Sequence, residues 1–70
     1  MKESARELFA RRIKALRAER GWPQEELAAI SSLDRSYVGI LERCEKSATL
    51  DTVEKIAEAF GVPVNKLLEE

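Results

Sequence analysis

Gln24 and Arg35 are the two residues whose types and positions are best suited to recognition chemistry. Each stands where a short helix is expected to begin. The amide of Gln24 and the free N–H groups of a first helical turn can together hold a phosphate oxygen. The planar fork of Arg35 matches O6 and N7 of a guanine in the major groove. Ser36 can give or take a hydrogen bond at a base or a phosphate. Tyr37 can stack on a nucleic-acid backbone or bond a phosphate, and Ile40, one turn beyond Ser36, can touch a thymine methyl. Gly39 would admit such a methyl, or the sugar-phosphate wall, at close range. Each residue also has a structural use. Gln24 can be a solvated first-turn polar group, Arg35 can pair with Asp34 or Glu25, and Ser36 can help to cap its helix. Tyr37 can lay its ring over the core edge, Gly39 can serve close packing against the preceding helix, and Ile40 can be an exposed apolar residue.

Bond-breaking chemistry finds no equivalent set. The chain has no histidine and one cysteine, Cys44, with no base partner or second metal ligand in view. Glu25–Glu26 and Glu69–Glu70 are sequence neighbours on expected helices, so their carboxylates diverge. There is no glycine-rich phosphate loop. No catalytic residue, metal site or cofactor is expected.

The elements that must position these side chains are two short helices and a tight turn within residues 24–43, QEELAAISSLDRSYVGILER. Leu27, Ala28 and Ile30 supply an apolar edge to the first, and Ser31 to Leu33 break the pattern. Asp34 can cap the second, whose Val38 and Leu41 point inward at i, i+3 spacing. Around this unit the periodicity predicts a first helix over 4–19, with Ala5, Phe9, Ile13 and Leu16 on one face, ended by Gly21. Trp22 and Leu27 are placed as a hydrophobic staple if Pro23 is the N-cap, and Pro23 equally suits the first helical position if the boundary shifts by one. The two short helices cover 23–30 and 35–43. A fourth begins after Thr49 with Leu50, Val53, Ile56, Ala57 and Phe60 inward, and stops at Gly61 and Pro63. A fifth covers 64–69. The expected fold is all-α, with five helices and no strand.

Seventy residues that are 44% hydrophobic can build one core, so residues 1–70 are expected to form a single domain. No apolar run approaches the roughly 18 residues of a membrane span, and the charged N-terminus lacks a signal-peptide core. No membrane partner is expected, and a reducing cytoplasm is the expected compartment. The formal net charge is −1, which by itself argues against a nucleic-acid partner. The distribution is uneven, however: residues 1–20 carry +4, residues 21–46 carry −2 and residues 47–70 carry −3. Base is concentrated on the first helix and at Arg35, Arg43 and Lys46.

QEELA at 24–28, DRSYVG at 34–39, LER at 41–43 and TLDTVEKIAEAFGVPVNKLL at 49–68 occur in an order and at a spacing that resembles the Cro-like, or xenobiotic-response-element, helix-turn-helix regulators. The pattern is most similar to the controller proteins of restriction-modification systems. The resemblance implies a compact five-helix, lambda-repressor-like DNA-binding domain. It implies a homodimer, with Val64, Leu67 and Leu68 at the dimer surface. The function implied is that of a transcription regulator which binds a palindromic operator in double-stranded DNA through its third helix, associated with the nucleoid. RNA polymerase is a further partner in view. An antitoxin or a protein-interaction adaptor that retains the fold is the alternative. By the same resemblance Gln24, Arg35, Ser36, Tyr37, Gly39, Ile40, Arg43, Lys46 and Ser47 are the DNA-binding residues, and Arg17 and Glu42 form a partly buried structural ion pair. Cys44 stands where the family usually has a glycine.

Overall fold

A computed structural model describes residues 2–69, and among these the chain forms four α-helices followed by one 3-10 turn. Glu70 lies outside them. Local chemistry sets each boundary. Helix α1, Ala5–Arg20, opens on a capping box: the Ser4 hydroxyl accepts from the Glu7 N–H at 3.1 Å while the Glu7 carboxylate accepts from the Ser4 N–H at 2.8 Å. It closes on Gly21, at φ +68°. Helix α2, Gln24–Ser31, starts after Pro23. Helix α3, Arg35–Glu42, starts at Asp34, and α4, Leu50–Phe60, starts at Thr49, whose hydroxyl accepts from the Thr52 N–H at 3.1 Å. The expected fifth helix is the 3-10 turn Val64–Leu67. Its bonds, Lys66 N–H to Pro63 and Leu68 N–H to Asn65, are of the short i+3 kind, as suits a segment too brief to propagate an α-helix.

The core lies where the apolar faces meet. Phe9, Ile13 and Leu16 from α1, Leu27 and Ala28 from α2, Val38 and Leu41 from α3, and Val53, Ile56, Ala57 and Phe60 from α4 form one buried cluster with Leu67. Each fully buried branched side chain contributes about 1.5–3 kcal/mol relative to exposure. Trp22 stacks on Phe60 at 5.5 Å between ring centroids, and the Arg20 guanidinium lies 4.9 Å from the Phe60 ring while donating to the Phe60 carbonyl at 2.7 Å. The tryptophan thus seals the core against α4.

Four expected core or surface assignments are corrected. Leu67 is 0% exposed, so it belongs to the monomer core and not to a dimer surface: the 3-10 turn packs on α1 and α4 and turns this side chain between them. Val64 and Leu68 remain exposed. Leu50 is 83% exposed because it opens α4 before the helix has come down onto the core. Ile30 is also exposed, near the end of α2, and Ala5 is exposed in the first turn of α1.

One polar network joins three helices inside this packing. Glu42, 6% exposed, accepts from Arg17 Nε and Nη2, both at 2.8 Å, and from Gln24 Nε2 at 3.0 Å. Arg17 Nη1 donates to the Trp22 carbonyl at 2.8 Å. Each member has a partner, and the Glu42 hydrogen bond holds Arg17 above the usual arginine range.

Two left-handed residues are not glycine. Ser32 ends α2 at φ +60° and Cys44 follows α3 at φ +62°. At Cys44 the N–H groups of residues 44 and 45 bond back to Leu41 and Ile40, the closure a glycine usually makes. A side chain here costs about 1–2 kcal/mol. Cys44→Gly should therefore raise stability to urea by about 1 kcal/mol, and an unchanged midpoint would contradict the strain. Arg17→Met, which leaves the Glu42 charge buried with one neutral partner, should lower stability by about 3 kcal/mol. A loss under about 1 kcal/mol would place the ion pair among ordinary surface contacts.

Candidate nucleic-acid interface

Helices α2 and α3 are joined by Ser31 to Asp34. The buried Ser31 hydroxyl donates to the Leu27 carbonyl at 2.6 Å, the left-handed Ser32 reverses the chain, and Leu33 packs on the core. Asp34 then receives the start of α3. Its Oδ1 accepts from the Ser36 N–H at 2.8 Å and the Ser36 hydroxyl at 2.6 Å. These two bonds, the hydroxyl's first, hold the Asp34 carboxyl below the usual aspartate range. Ser36 is thus part of the cap, and its exposed oxygen keeps lone pairs to offer outward.

Arg35 is the first residue of α3. Its side chain is 65% exposed, and its one ion pair among the described residues, to Glu25 across the turn, is long at 3.7 Å. Such a pair is worth little in water and yields readily to a better acceptor. Tyr37 is half-buried, with its ring against the core, and Ile40 is half-buried.

Gly39 is buried and does not face outward. The side chains of Arg43 and Gln24 cover it: a Cβ there would stand 2.9 Å from Arg43 Nη1 and 3.7 Å from Gln24 Oε1. The structure therefore brings Gln24, Gly39 and Arg43 together, at the seam between α2 and α3. Gln24 is half-buried, its amide nitrogen committed to Glu42, so it is not a freely solvated group. Arg43 is chelated by Glu45, with Nε to Oε2 at 2.9 Å and Nη2 to Oε1 at 3.4 Å. This hydrogen-bonded pair raises the arginine and lowers the glutamate from their ordinary ranges. Sequence reasoning missed Glu45; the signal was an acid two residues beyond a helix-end arginine.

Beyond Cys44 the chain exposes Lys46 and Ser47. Ser47 accepts from Arg6 Nε at 3.0 Å, which ties this loop to α1. The other arginines of the first helix are also engaged. Arg11 pairs with Glu3, Arg12 donates to the Lys66 carbonyl at 3.1 Å, and Arg20 donates to Phe60. Arg17 is bonded to Glu42 and to the Trp22 carbonyl. The five arginines among residues 1–20 thus support the fold while keeping their charge, and Lys2 and Lys14 are exposed. What remains outward near the two short helices is Arg35, Ser36, Arg43, Lys46 and the edge of Gln24.

Among the described residues no group of three or more His, Cys, Asp or Glu could hold a metal ion, and no helix is long and apolar enough to cross a membrane. Leu50 and Leu68 line a shared groove of about 200 Å³ with Ala5, Arg6, Phe9, Ser47, Ala48 and Val53. Val64 lines a different surface, with Glu54, Glu58 and Pro63.

Known proteins share both sequence and fold. The chain is 39% identical over 66 residues to a hypothetical transcription factor of Neisseria meningitidis, covering 94% of this chain and 62% of that relative's length. The crystal structure of a hypothetical transcription factor from Neisseria superposes with a TM-score of 0.90 at 39% identity, over 94% of this chain and 76% of the other. The restriction-modification controller protein C.AhdI of Aeromonas hydrophila gives a TM-score of 0.85 at 39% identity, over 89% of this chain and 94% of the other. The helix-turn-helix family profile matches residues 13–67. With α2 and α3 joined by a capped turn and a family match over most of its length, the chain belongs to the helix-turn-helix family of DNA-binding transcription regulators and controller proteins.

Proposed function

We propose that the protein is a sequence-specific transcription regulator that binds a palindromic operator as a homodimer, with α3 of each subunit in the major groove. The observation that carries this reading is the presentation of Arg35: first in α3, exposed, and held by one weak ion pair. Around it stand the Ser36 hydroxyl and the Asp34 cap. Lys46 and Ser47 would meet phosphates, and their contribution carries no sequence information. Two-fold symmetry would set the two α3 helices about 34 Å apart, one turn of DNA. The named relatives, a transcription factor and a controller protein, support the same reading.

A dimer is needed because a single eight-residue α3 and few outward cations hold one half-site weakly. With Leu67 committed to the core, the apolar surface for a second copy is Leu50 and Leu68, which lie in one groove beside Ser47. This surface borders the expected phosphate loop, so dimerisation and DNA contact would reinforce each other.

Arg35→Ala should weaken the preferred site by about 1–3 kcal/mol and relax preference at one base pair in each half-site. Lys46→Ala should weaken all duplexes alike and make the salt slope shallower by about 1. Unchanged base preference in the first variant, or a base-specific effect in the second, would overturn these roles. Leu50→Asp and Leu68→Asp change exposed positions and should leave the helical circular dichroism intact while shifting sedimentation to monomer, with site affinity falling in parallel. A folded monomer that binds with unchanged affinity would contradict the dimer mechanism.

A further inference from the structure

Gly39 sits in the middle of α3 with ordinary helical backbone, since the positive-φ glycines are Gly21 and Gly61 alone. No turn demands it, and a helix-interior glycine is less stable than alanine by about 1 kcal/mol, or roughly fivefold in a folding equilibrium. The nearest obstacle to a side chain there is the tip of Arg43: Nη1 at 2.9 Å, followed at ordinary contact distance by its Cζ and by Gln24 Oε1, each at 3.7 Å. That obstacle is the end of a flexible side chain. The fold would accept alanine at 39; the Arg43 guanidinium would have to move.

We propose that Gly39 and Arg43 act as one unit, in which the missing side chain at 39 seats the Arg43 guanidinium one turn back along α3, beside Gln24, to make a base-independent contact with a DNA phosphate. This rests on the reading of the α2–α3 face as a DNA surface. Glu45 grips the Nε and Nη2 side of the guanidinium and leaves Nη1 over Gly39. Arg43 is 59% exposed, so the seated group remains open to a ligand. The position favours phosphate over base. Gly39 is buried at the seam with α2, where Gln24 opens the neighbouring helix, whereas Arg35 and Ser36 stand at the other end of α3. A guanidinium fixed by a carboxylate on one side and offered on the other suits a phosphate oxygen, which accepts from any N–H of the fork. Gly39 and Glu45 are positioning residues in this arrangement, and Arg43 is the contact.

The test is a cycle of Gly39→Ala, Arg43→Ala and the double variant. The readouts are affinity for a selected operator and for an unrelated duplex, the salt dependence of each, and thermal unfolding. Gly39→Ala should unfold at the same or a higher temperature, because alanine is the better helix former. It should nevertheless bind both duplexes several-fold more weakly, with a salt slope shallower by about 1. Arg43→Ala should give the same loss, and the double variant should be no worse than Arg43→Ala alone. Losses that multiply, a Gly39→Ala affinity equal to wild type, a base-specific change, or a Gly39→Ala protein that loses binding together with thermal stability would each overturn the unit. If the unmodified protein itself binds no duplex, the proposed function fails; if it binds and the cycle shows no coupling, only this inference fails.

Discussion

The buried carboxylate of Glu42 is the constraint on which the rest of the arrangement depends. A charge at 6% exposure is tolerable only when its acceptor sites are filled, and here they are filled by two nitrogens of Arg17 and one of Gln24. Those three residues lie on α1, α2 and α3, and Arg17 adds the Trp22 carbonyl from the connection between the first two. Apolar packing is non-directional, so Leu27, Val38 and Leu41 press the helices together without fixing their rotation. A bidentate ion pair does fix it. The last turn of α3 is thereby locked against α1, with the first turn of α2 alongside, and the outward faces of α2 and α3 keep one relative orientation. A recognition surface assembled from two short helices requires that rigidity.

The other arginines of α1 also serve the fold. The five arginines of α1 all contact other parts of the chain: Glu42, the carbonyls of Phe60 and Lys66, Ser47 and Glu3. Backbone carbonyls at the ends of α4 and of the 3-10 turn are unsatisfied acceptors, and Arg20 and Arg12 close them. A formal net charge of −1 gives little long-range attraction to a polyanion.

Helix order and boundaries were legible because their signals are local: Asp34 and Thr49 as caps, Gly21 and Gly61 as stops. The structural pair Arg17 and Glu42 was visible through the family pattern. What was hidden depended on three-dimensional neighbours. Leu67 and Leu68 are the same residue type side by side, and only the direction of a 3-10 turn decides which is core. Leu50 and Ile30 satisfy the apolar spacing of their helices yet lie beyond the contact zone. Gly39 read either as room for a DNA group or as close packing against α2, and it lies buried at that seam with Arg43, four residues later, over it. Cys44 stands where the family usually has a glycine, and the chain adopts the left-handed conformation there regardless.

The central claim is that this α2–α3 unit reads DNA twice, through two copies related by symmetry. Repeated selection of bound duplexes from a random pool by the unmodified protein tests it most directly. The account predicts enrichment of an inverted repeat whose half-site centres lie about one helical turn, roughly 10 base pairs, apart. Enrichment of a lone asymmetric site, or of no sequence at all, would contradict it.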